Sequence, residues 1–457
     1  MKVLLISANT ARSPYPVYPI GISMVAAALR QAGHEVCLFD CLQHEQTLEA
    51  LSALLRAEPP ALVGISIRNI DNVNLLHEER YIDGVRLLVE RIRAETKARI
   101  VLGGSGFSLM PDAILEAVGA DYGVVGEGEG VFTAFVTAAA KGNYPRERLL
   151  YAGARLSGAA IPSAHYDANL VQFYLRSGTI GSVQTKRGCP HACLYCSYPL
   201  LEGARIRPRL PAAVADDVET LVTKVGAKYV FFTDSVFNDD QGHYLDVVRE
   251  LKRRGLCVPW TAFFKPDGLT PEAVALMKET GLKAAEIGAD AATDTTLKAL
   301  GKGFTWAEVT ACNNLFLDNG IPTAHYFMFG GPGETPETVA ESIANIKAMR
   351  KSAIFVFMGI RILPGTGLVK IALAEGLLAP GQELLTPVYY ISPRVDRAWL
   401  EKTLTEGFAG LRHVVFPPDA INSTLTFLHS LGYTGALWDL LTAEPTGRRR
   451  RGRTGTE

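Results

Sequence analysis

The first 130 residues alternate between short apolar runs and amphipathic stretches. Apolar runs at 3–7, 36–39, 62–67, 99–102 and 122–125 are bounded by small or polar residues, which predicts buried strands. Between them, 21–31, 48–55, 81–96 and 113–118 repeat apolar side chains at helical spacing. Alternating strands and helices predict a parallel sheet with crossover helices. The loops at 7–19, 66–72, 103–111 and 126–130 are rich in small and polar residues. Ligands of such sheets bind beyond the carboxyl ends of the strands, so these loops predict a binding face.

From 143 to 180 the pattern weakens, which predicts a connector. Alternation then resumes with apolar runs at 179–184, 229–233, 260–264, 284–287, 323–329 and 354–362 and helical stretches at 211–224, 245–253, 271–278 and 336–349. About six βα units predict an incomplete barrel, whose chemistry belongs at the carboxyl ends of its strands. The chain therefore divides into an α/β, doubly wound parallel-sheet domain at 1–142, a connector at 143–180, a partial (β/α)6 barrel at 181–383 and a small C-terminal segment at 384–446. A basic tail at 447–457, carrying Arg448 to Arg451 and Arg453, is expected to be disordered.

A length of 457 residues, with 48% hydrophobic, suits two or three domains. A formal net charge of -1 gives no global pull toward nucleic acid or an anionic membrane. The longest later apolar stretch, 353–363, is too short to span a bilayer, and the N-terminus reads as a strand rather than a signal peptide. Both point to a cytoplasmic location.

The seven cysteines are unevenly placed. Cys37, Cys41, Cys257 and Cys312 are scattered among apolar segments, as small buried hydrophobes are. Cys189, Cys193 and Cys196 instead fall in one loop, spaced C-x₃-C-x₂-C. Thiolates so spaced can wrap one side of a soft metal centre. A 4Fe–4S cluster ordinarily takes four cysteines, so three would leave one iron open to a small molecule. A structural zinc site would need a fourth Cys or His, and His191 lies awkwardly between two of the cysteines.

This loop, with Tyr195 before its third cysteine, resembles the cluster motif of the radical S-adenosylmethionine (SAM) superfamily. The resemblance extends to later strand ends. It implies Asp234 near the SAM amino group, against the plain alternative of a helix cap or turn. It implies Asp290 at the SAM ribose, where the superfamily often has a glutamate, and Gly330 and Gly331 beside SAM in the Gly-Gly-Pro-Gly run. The loop from Arg361 to Thr366 falls in the same place on the next strand. Among Arg205, Arg207 and Arg209, Arg207 is the candidate for the SAM carboxylate, since guanidinium binds carboxylate bidentately. Tyr174, Tyr198, Phe264, Lys265, His325 and Tyr326 are further candidate cavity residues, each with packing as its default role.

The N-terminal domain resembles the cobalamin-binding domain fused to many radical SAM enzymes, through Tyr18–Gly21, the run at Gly103–Gly106 and the run at 125–129. The resemblance implies contacts from Gly104, Ser105, Gly126 and Glu127 to the corrin. The Asp-x-His-x-x-Gly motif that supplies a lower histidine is absent; Asp40 and His44 have the wrong spacing. The polar stretch from Ser66 to Asn72 could contact corrin or substrate.

The implied activity is reductive cleavage of SAM to a 5′-deoxyadenosyl radical for cobalamin-dependent C-methylation of an unactivated carbon, with the cofactors carrying the chemistry. The rivals are radical cyclisation, coupling or rearrangement without methyl transfer; methylthiolation, which needs more N-terminal cysteines than Cys37 and Cys41; and an iron–sulfur redox sensor. The expected partners are a small-molecule substrate, such as a lipid or natural-product intermediate, and an electron donor such as flavodoxin or ferredoxin.

Overall fold

The computed structural model describes residues 1–12, 15–176, 178 and 180–442; the arginine tail lies outside the described residues. The N-terminal sheet is built from β1 (Lys2–Ser7), β2 (Glu35–Asp40), β3 (Leu62–Ser66), β4 (Arg99–Gly103), β5 (Tyr122–Val125) and β6 (Leu149–Tyr151). All pair in parallel, in the order β2-β1-β3-β4-β5-β6. The strand order reverses between β2 and β3 at β1, the switch point where a doubly wound sheet opens a crevice. Helices α1 (Ile20–Gln31), α2 (Thr47–Ala57), α3 (Ile82–Glu95), α4 (Ser105–Leu109), α5 (Pro111–Val118) and α6 (Gly128–Ala139) make the crossovers. Their apolar stripes bury against the sheet in two cores, one led by Leu51, Leu88 and Ile114 and the other by Ala26, Phe132 and Val136.

The expected connector is more structured than its pattern suggests. It supplies β6, an edge strand of the first sheet, and α7 (Ala168–Leu175), capped by Asp167. Tyr174 on α7 donates to buried Asp40 at 2.7 Å and so ties the connector to the first domain.

The second sheet contains β7 (Ile180–Val183), β10 (Tyr229–Phe232), β11 (Trp260–Phe264), β12 (Leu282–Asp290), β13 (Thr323–Phe329), β14 (Ala353–Met358) and β17 (Val414–Val415), ordered β17-β14-β13-β12-β11-β10-β7. Two short antiparallel pairs sit on it: β8 (Lys186–Arg187) with β9 (Arg207–Pro208), and β15 (Ile360–Arg361) with β16 (Tyr389–Tyr390). Helices α9 (Pro211–Thr220), α10 (His243–Arg253), α11 (Pro271–Glu279), α13 (Trp306–Asp318) and α14 (Pro336–Ala348) cover the outside. Several start with proline in the first turn, where its missing N–H costs nothing. Short α8 (Tyr198–Leu201) and α12 (Asp294–Ala299) lie in loops, and α15 (Gly367–Ala374), α16 (Arg397–Phe408), α17 (Asn422–Ser430) and α18 (Trp438–Thr442) follow the last long strand.

The barrel strands sort their side chains by period two. Phe232, Ala262, Phe264, Ile287, Phe327 and Val356 face the helices and are fully buried. Phe231, Phe263, Tyr326 and Phe357 face the lumen and remain half-buried. At Ala284, Ala324, Ala353 and Phe355 this inner face packs against Leu425, Ala436, Leu437 and Trp438 of the C-terminal segment.

Buried ion pairs join the two halves. Arg187 pairs with Glu129 at 2.5 Å, Arg207 with Glu127, and Arg361 with Asp71 at 2.8 Å. Such pairs add little net stability, but they fix how the cobalamin-like sheet faces the barrel. No described helix is long and apolar enough to cross a membrane.

Candidate active site

The cysteine loop leaves the β8–β9 hairpin and ends at α8. Gly188 opens it at φ +96°, where a Cβ would sit 2.1 Å from the Arg205 carbonyl oxygen, so only glycine fits. The Cys189 N–H donates to Gly203 O at 3.0 Å, and the Leu194 N–H donates to Leu300 O at 3.0 Å. The Leu368 N–H donates back to Leu194 O at 2.8 Å. The segments after β12 and before α15 thus clamp the loop from both sides.

Burial pushes the Cys189 thiol up, and burial, with the neighbouring Cys193 and Cys189, pushes the Cys196 thiol up to about 12. Cys257 is exposed and Cys312 is buried on α13, while Cys37 and Cys41 belong to the other sheet.

Beside the loop stands a group the sequence reading missed. The Lys302 ammonium is buried against the carboxylate of Asp290 and receives further support from the Tyr195 hydroxyl at 3.0 Å. Tyr195 also donates to Asp290 Oδ2 at 2.5 Å. Lys302 lies over the rings of Tyr195 and Phe304, at 5.3 and 5.9 Å. Its pKa is raised by Asp290 against the opposing effect of burial. Asp290 itself holds a left-handed φ of +67°, uncommon for a non-glycine residue, at an irregularity in β12. Asp290 is thus at the cluster loop, as its motif implies, and Oδ2 already serves two donors.

Three other candidates have different surroundings. Asp234 is 1% exposed. It accepts from the Thr185 N–H at 2.7 Å, the Thr185 hydroxyl and the Lys186 ammonium at 3.2 Å, with Asp239 also 3.4 Å from that ammonium. The carboxylate thus holds the β8–β9 hairpin. Arg207 is likewise consumed, by Glu127 and by the carbonyls of Leu156 and Glu202. The Gly330 and Gly331 N–H groups donate to Glu334, whose carboxyl burial raises to about 7 despite those bonds. These glycines shape their loop, and their own N–H groups are not free for a ligand.

A cavity of about 500 Å³ opens at the carboxyl ends of β1, β3, β4 and β5, lined by Ser7, Ser66, Arg68, Asn69, Ser105 and Glu127 among others. Its far wall belongs to the barrel: Gln184, Arg187, Thr233, and Ser197 with Tyr198, which directly follow Cys196. Gly21, at the start of α1, faces it with nothing within 4 Å of a Cβ position. No histidine lines it; His44 stacks on Phe39 at 4.6 Å instead. A wider hollow of about 710 Å³ between α1 and α6 is lined mainly by alanine and threonine and has no cysteine in its lining.

The implied cobalamin contacts divide. Gly126 has φ +88° and its N–H donates to Ser108 Oγ at 2.9 Å; both line the cavity. Ser105 donates to Arg68 O at 2.9 Å. At Gly104, φ +100°, a Cβ would lie 2.5 Å from Ile67 O, so this glycine admits the neighbouring loop, and it also lines the cavity. Glu127 lines the cavity, but its carboxylate holds Arg207 and the Leu156 N–H. The cavity's serines, Asn69 and backbone groups suit an amide-rich ligand, and its open side leaves room for one larger than the enclosed volume.

Among the remaining candidates, Tyr198 lines the cavity, and Tyr326 faces the lumen. Phe264 is buried among helix-facing core residues. Lys265 is held by Asp240 and Asp267. Burial pushes His325 down to about 3, and it bonds Asn313 at 3.0 Å within the wall.

Comparison with known proteins agrees with this geometry. Residues 6–136 match the B12 binding domain and residues 183–346 match the radical SAM superfamily. The chain is 28% identical to the tryptophan 2-C-methyltransferase of Streptomyces laurentii, over 82% of this chain and 74% of that protein. It is 22% identical to the cytidylyl-2-hydroxyethylphosphonate methyltransferase of Streptomyces wedmorensis, over 85% and 84% of the two chains. Its structure is similar to that of the radical SAM methyltransferase TsrM from Kitasatospora setae with cobalamin and a 4Fe–4S cluster bound, with a TM-score of 0.84 and 26% identity over 96% of this chain and 97% of that one.

Proposed function

We propose, on the premise that this chain belongs to the radical SAM enzymes that carry a cobalamin-binding domain, that it methylates a carbon of a small-molecule substrate. One observation carries the reading: the cavity at the carboxyl ends of the N-terminal strands is walled by Ser197 and Tyr198, the residues directly after Cys196. A cofactor held there lies against the cluster loop.

When bound, the cluster with SAM supplies reductive chemistry and cobalamin carries the methyl group. The chain's own residues position these partners. Cys189, Cys193 and Cys196 would hold the cluster. Lys302 and Tyr195 fix Asp290 beside their loop, where its remaining oxygen would serve the SAM ribose. Ser66, Asn69, Ser108 and the Gly126 loop line the cavity that would receive the corrin. No histidine reaches cobalt from the cavity wall. Reduction of the cluster calls for an external one-electron donor, such as flavodoxin or ferredoxin, and a reducing compartment such as the cytoplasm suits that chemistry. The relatives' names span unrelated substrates, tryptophan and a nucleotide-linked phosphonate, so the substrate is not inherited from them.

The test is anaerobic reconstitution followed by iron counting, corrin uptake and electron paramagnetic resonance of the cob(II)alamin form. The expected result is one cluster, bound corrin and no nitrogen superhyperfine splitting from a protein histidine. Transfer of a labelled methyl group from SAM to a carbon of the product completes it. Failure to take up corrin would remove the basis for methyl transfer.

A further inference from the structure

Taking an ammonium out of water is costly, and a single carboxylate partner seldom offsets that cost in full. Lys302 carries it beside the cysteine loop. Its side chain is 6% exposed and pairs with Asp290, and its Nζ donates to the Tyr195 hydroxyl at 3.0 Å. The rings of Tyr195 and Phe304 lie 5.3 and 5.9 Å from it and keep water away. Holding Asp290 in place does not by itself call for a cation, because the Tyr195 hydroxyl already donates to Asp290 Oδ2 at 2.5 Å. What a cation adds there is charge.

The backbone brings that charge to the cysteines. Leu300 O accepts the Leu194 N–H at 3.0 Å. A Cβ on Gly301, φ +73°, would stand 2.8 Å from Ala192 O and 3.8 Å from Cys193 Cα. The turn carrying Lys302 therefore lies directly on the loop, as close as a glycine permits. From it the ammonium reaches Tyr195, the residue just before Cys196. Against the burial that raises the Cys189 and Cys196 thiols, Lys302 is among the groups that pull them back. Against its own burial, the Lys302 proton is held by Asp290, Tyr195 and Cys193. The ammonium thus acts on all three cysteines.

We propose that Lys302 sets the midpoint potential of the cluster held by Cys189, Cys193 and Cys196: its ammonium, standing at the loop side of the Asp290 pair, favours the one-electron-reduced form. The electron leaves the external donor, which is oxidised by one, and adds negative charge to a site that already carries the cysteine thiolates. A nearby positive charge in a water-excluded setting offsets part of that cost, and net charge is one of the factors that set such potentials. Asp290 acts in the opposite sense from the other end of the pair. The proposal rests on the cluster reading of the cysteine loop and names the residue that makes that cluster easier to reduce.

The experiment is a potentiometric titration of the anaerobically reconstituted protein, without SAM, followed by electron paramagnetic resonance of the reduced cluster. Lys302→Met, checked for iron content and melting temperature, should shift the midpoint to more negative potential. Lys302→Arg, which keeps the charge, should stay close to wild type. Asp290→Asn, which removes the negative end and leaves the ammonium, should shift the midpoint to more positive potential, and it decides the matter should the methionine variant assemble no cluster. An unchanged midpoint in Lys302→Met or in Asp290→Asn, shifts of the same sign in both, or a loss in Lys302→Arg equal to that in Lys302→Met overturns the proposal. A wild-type protein that assembles no cluster overturns the cluster reading with it. Absence of methyl transfer with the opposed shifts intact counts against the function and not against Lys302.

Discussion

Replacing Asp234 separates a structural carboxylate from a ligand-binding one. In Asp234→Ala the Lys186 ammonium, 2% exposed, loses its partner at 3.2 Å and keeps the Phe237 carbonyl at 2.7 Å and Asp239 at 3.4 Å. The Thr185 N–H and hydroxyl lose their acceptor as well. Breaking a buried pair by removing one partner costs ~3–5 kcal/mol, and the remaining Asp239 argues for the lower end. About 3 kcal/mol corresponds to a melting temperature lower by roughly 6–12 °C for a domain of this size. The assay is thermal unfolding of the apo-protein by near-ultraviolet circular dichroism, paired with SAM affinity measured on the reconstituted protein below its transition. The expected outcome is a large thermal loss with SAM affinity per folded molecule retained. Asp234→Asn should fall between, because the amide oxygen still serves Thr185 but leaves Lys186 facing a neutral group. A variant as stable as wild type that had lost SAM affinity would refute this account and restore Asp234 to the SAM site.

Ala in place of Cys189, Cys193 or Cys196 should abolish the iron–sulfur absorption, while Cys37→Ala and Cys257→Ala keep it, as read by iron content after reconstitution. Gly104→Ala should destabilise the first domain by ~1–3 kcal/mol from its backbone conformation alone, because the new Cβ meets Ile67 O; Gly21→Phe, pointing into the open cavity, should instead lower corrin uptake at little cost in urea stability. For Glu334, the folded carboxyl at about 7 lies above its ordinary 4.5. The folded state holds its proton more tightly, so this contribution is complete below 4.5 and is lost as pH rises through about 7. The stability difference between wild type and Glu334→Gln should therefore shift by up to about 3 kcal/mol between pH 5 and pH 8; the same difference at both pH values would contradict the burial of this carboxyl.

Much of this architecture is local, and local features are readable. Fully buried parallel strands are continuous apolar runs, so β1, β3, β4 and β13 stand out, and the cysteine spacing needs no fold to be seen. What escaped depends on distant partners. β6 is three residues at a sheet edge with no alternation to mark it. Whether Asp234 faced a ligand or the chain was decided by Thr185 and Lys186, 49 and 48 residues earlier. Arg207 sat correctly near the cysteines, but its acceptor, Glu127, is 80 residues away. Lys302 and Asp290, twelve residues apart, form their pair across a loop whose path no periodicity reveals.

The buried ion pairs across the two halves bear on maturation. Opening the interface would strip Glu127, Glu129 and Asp71 from Arg187, Arg207 and Arg361 and leave six desolvated charges to be rehydrated one side at a time. Each broken pair is costly on its own, so the halves part as a unit or not at all. A bulky cofactor therefore reaches the crevice through its open side while the halves stay closed, so the frame that receives it is set before loading.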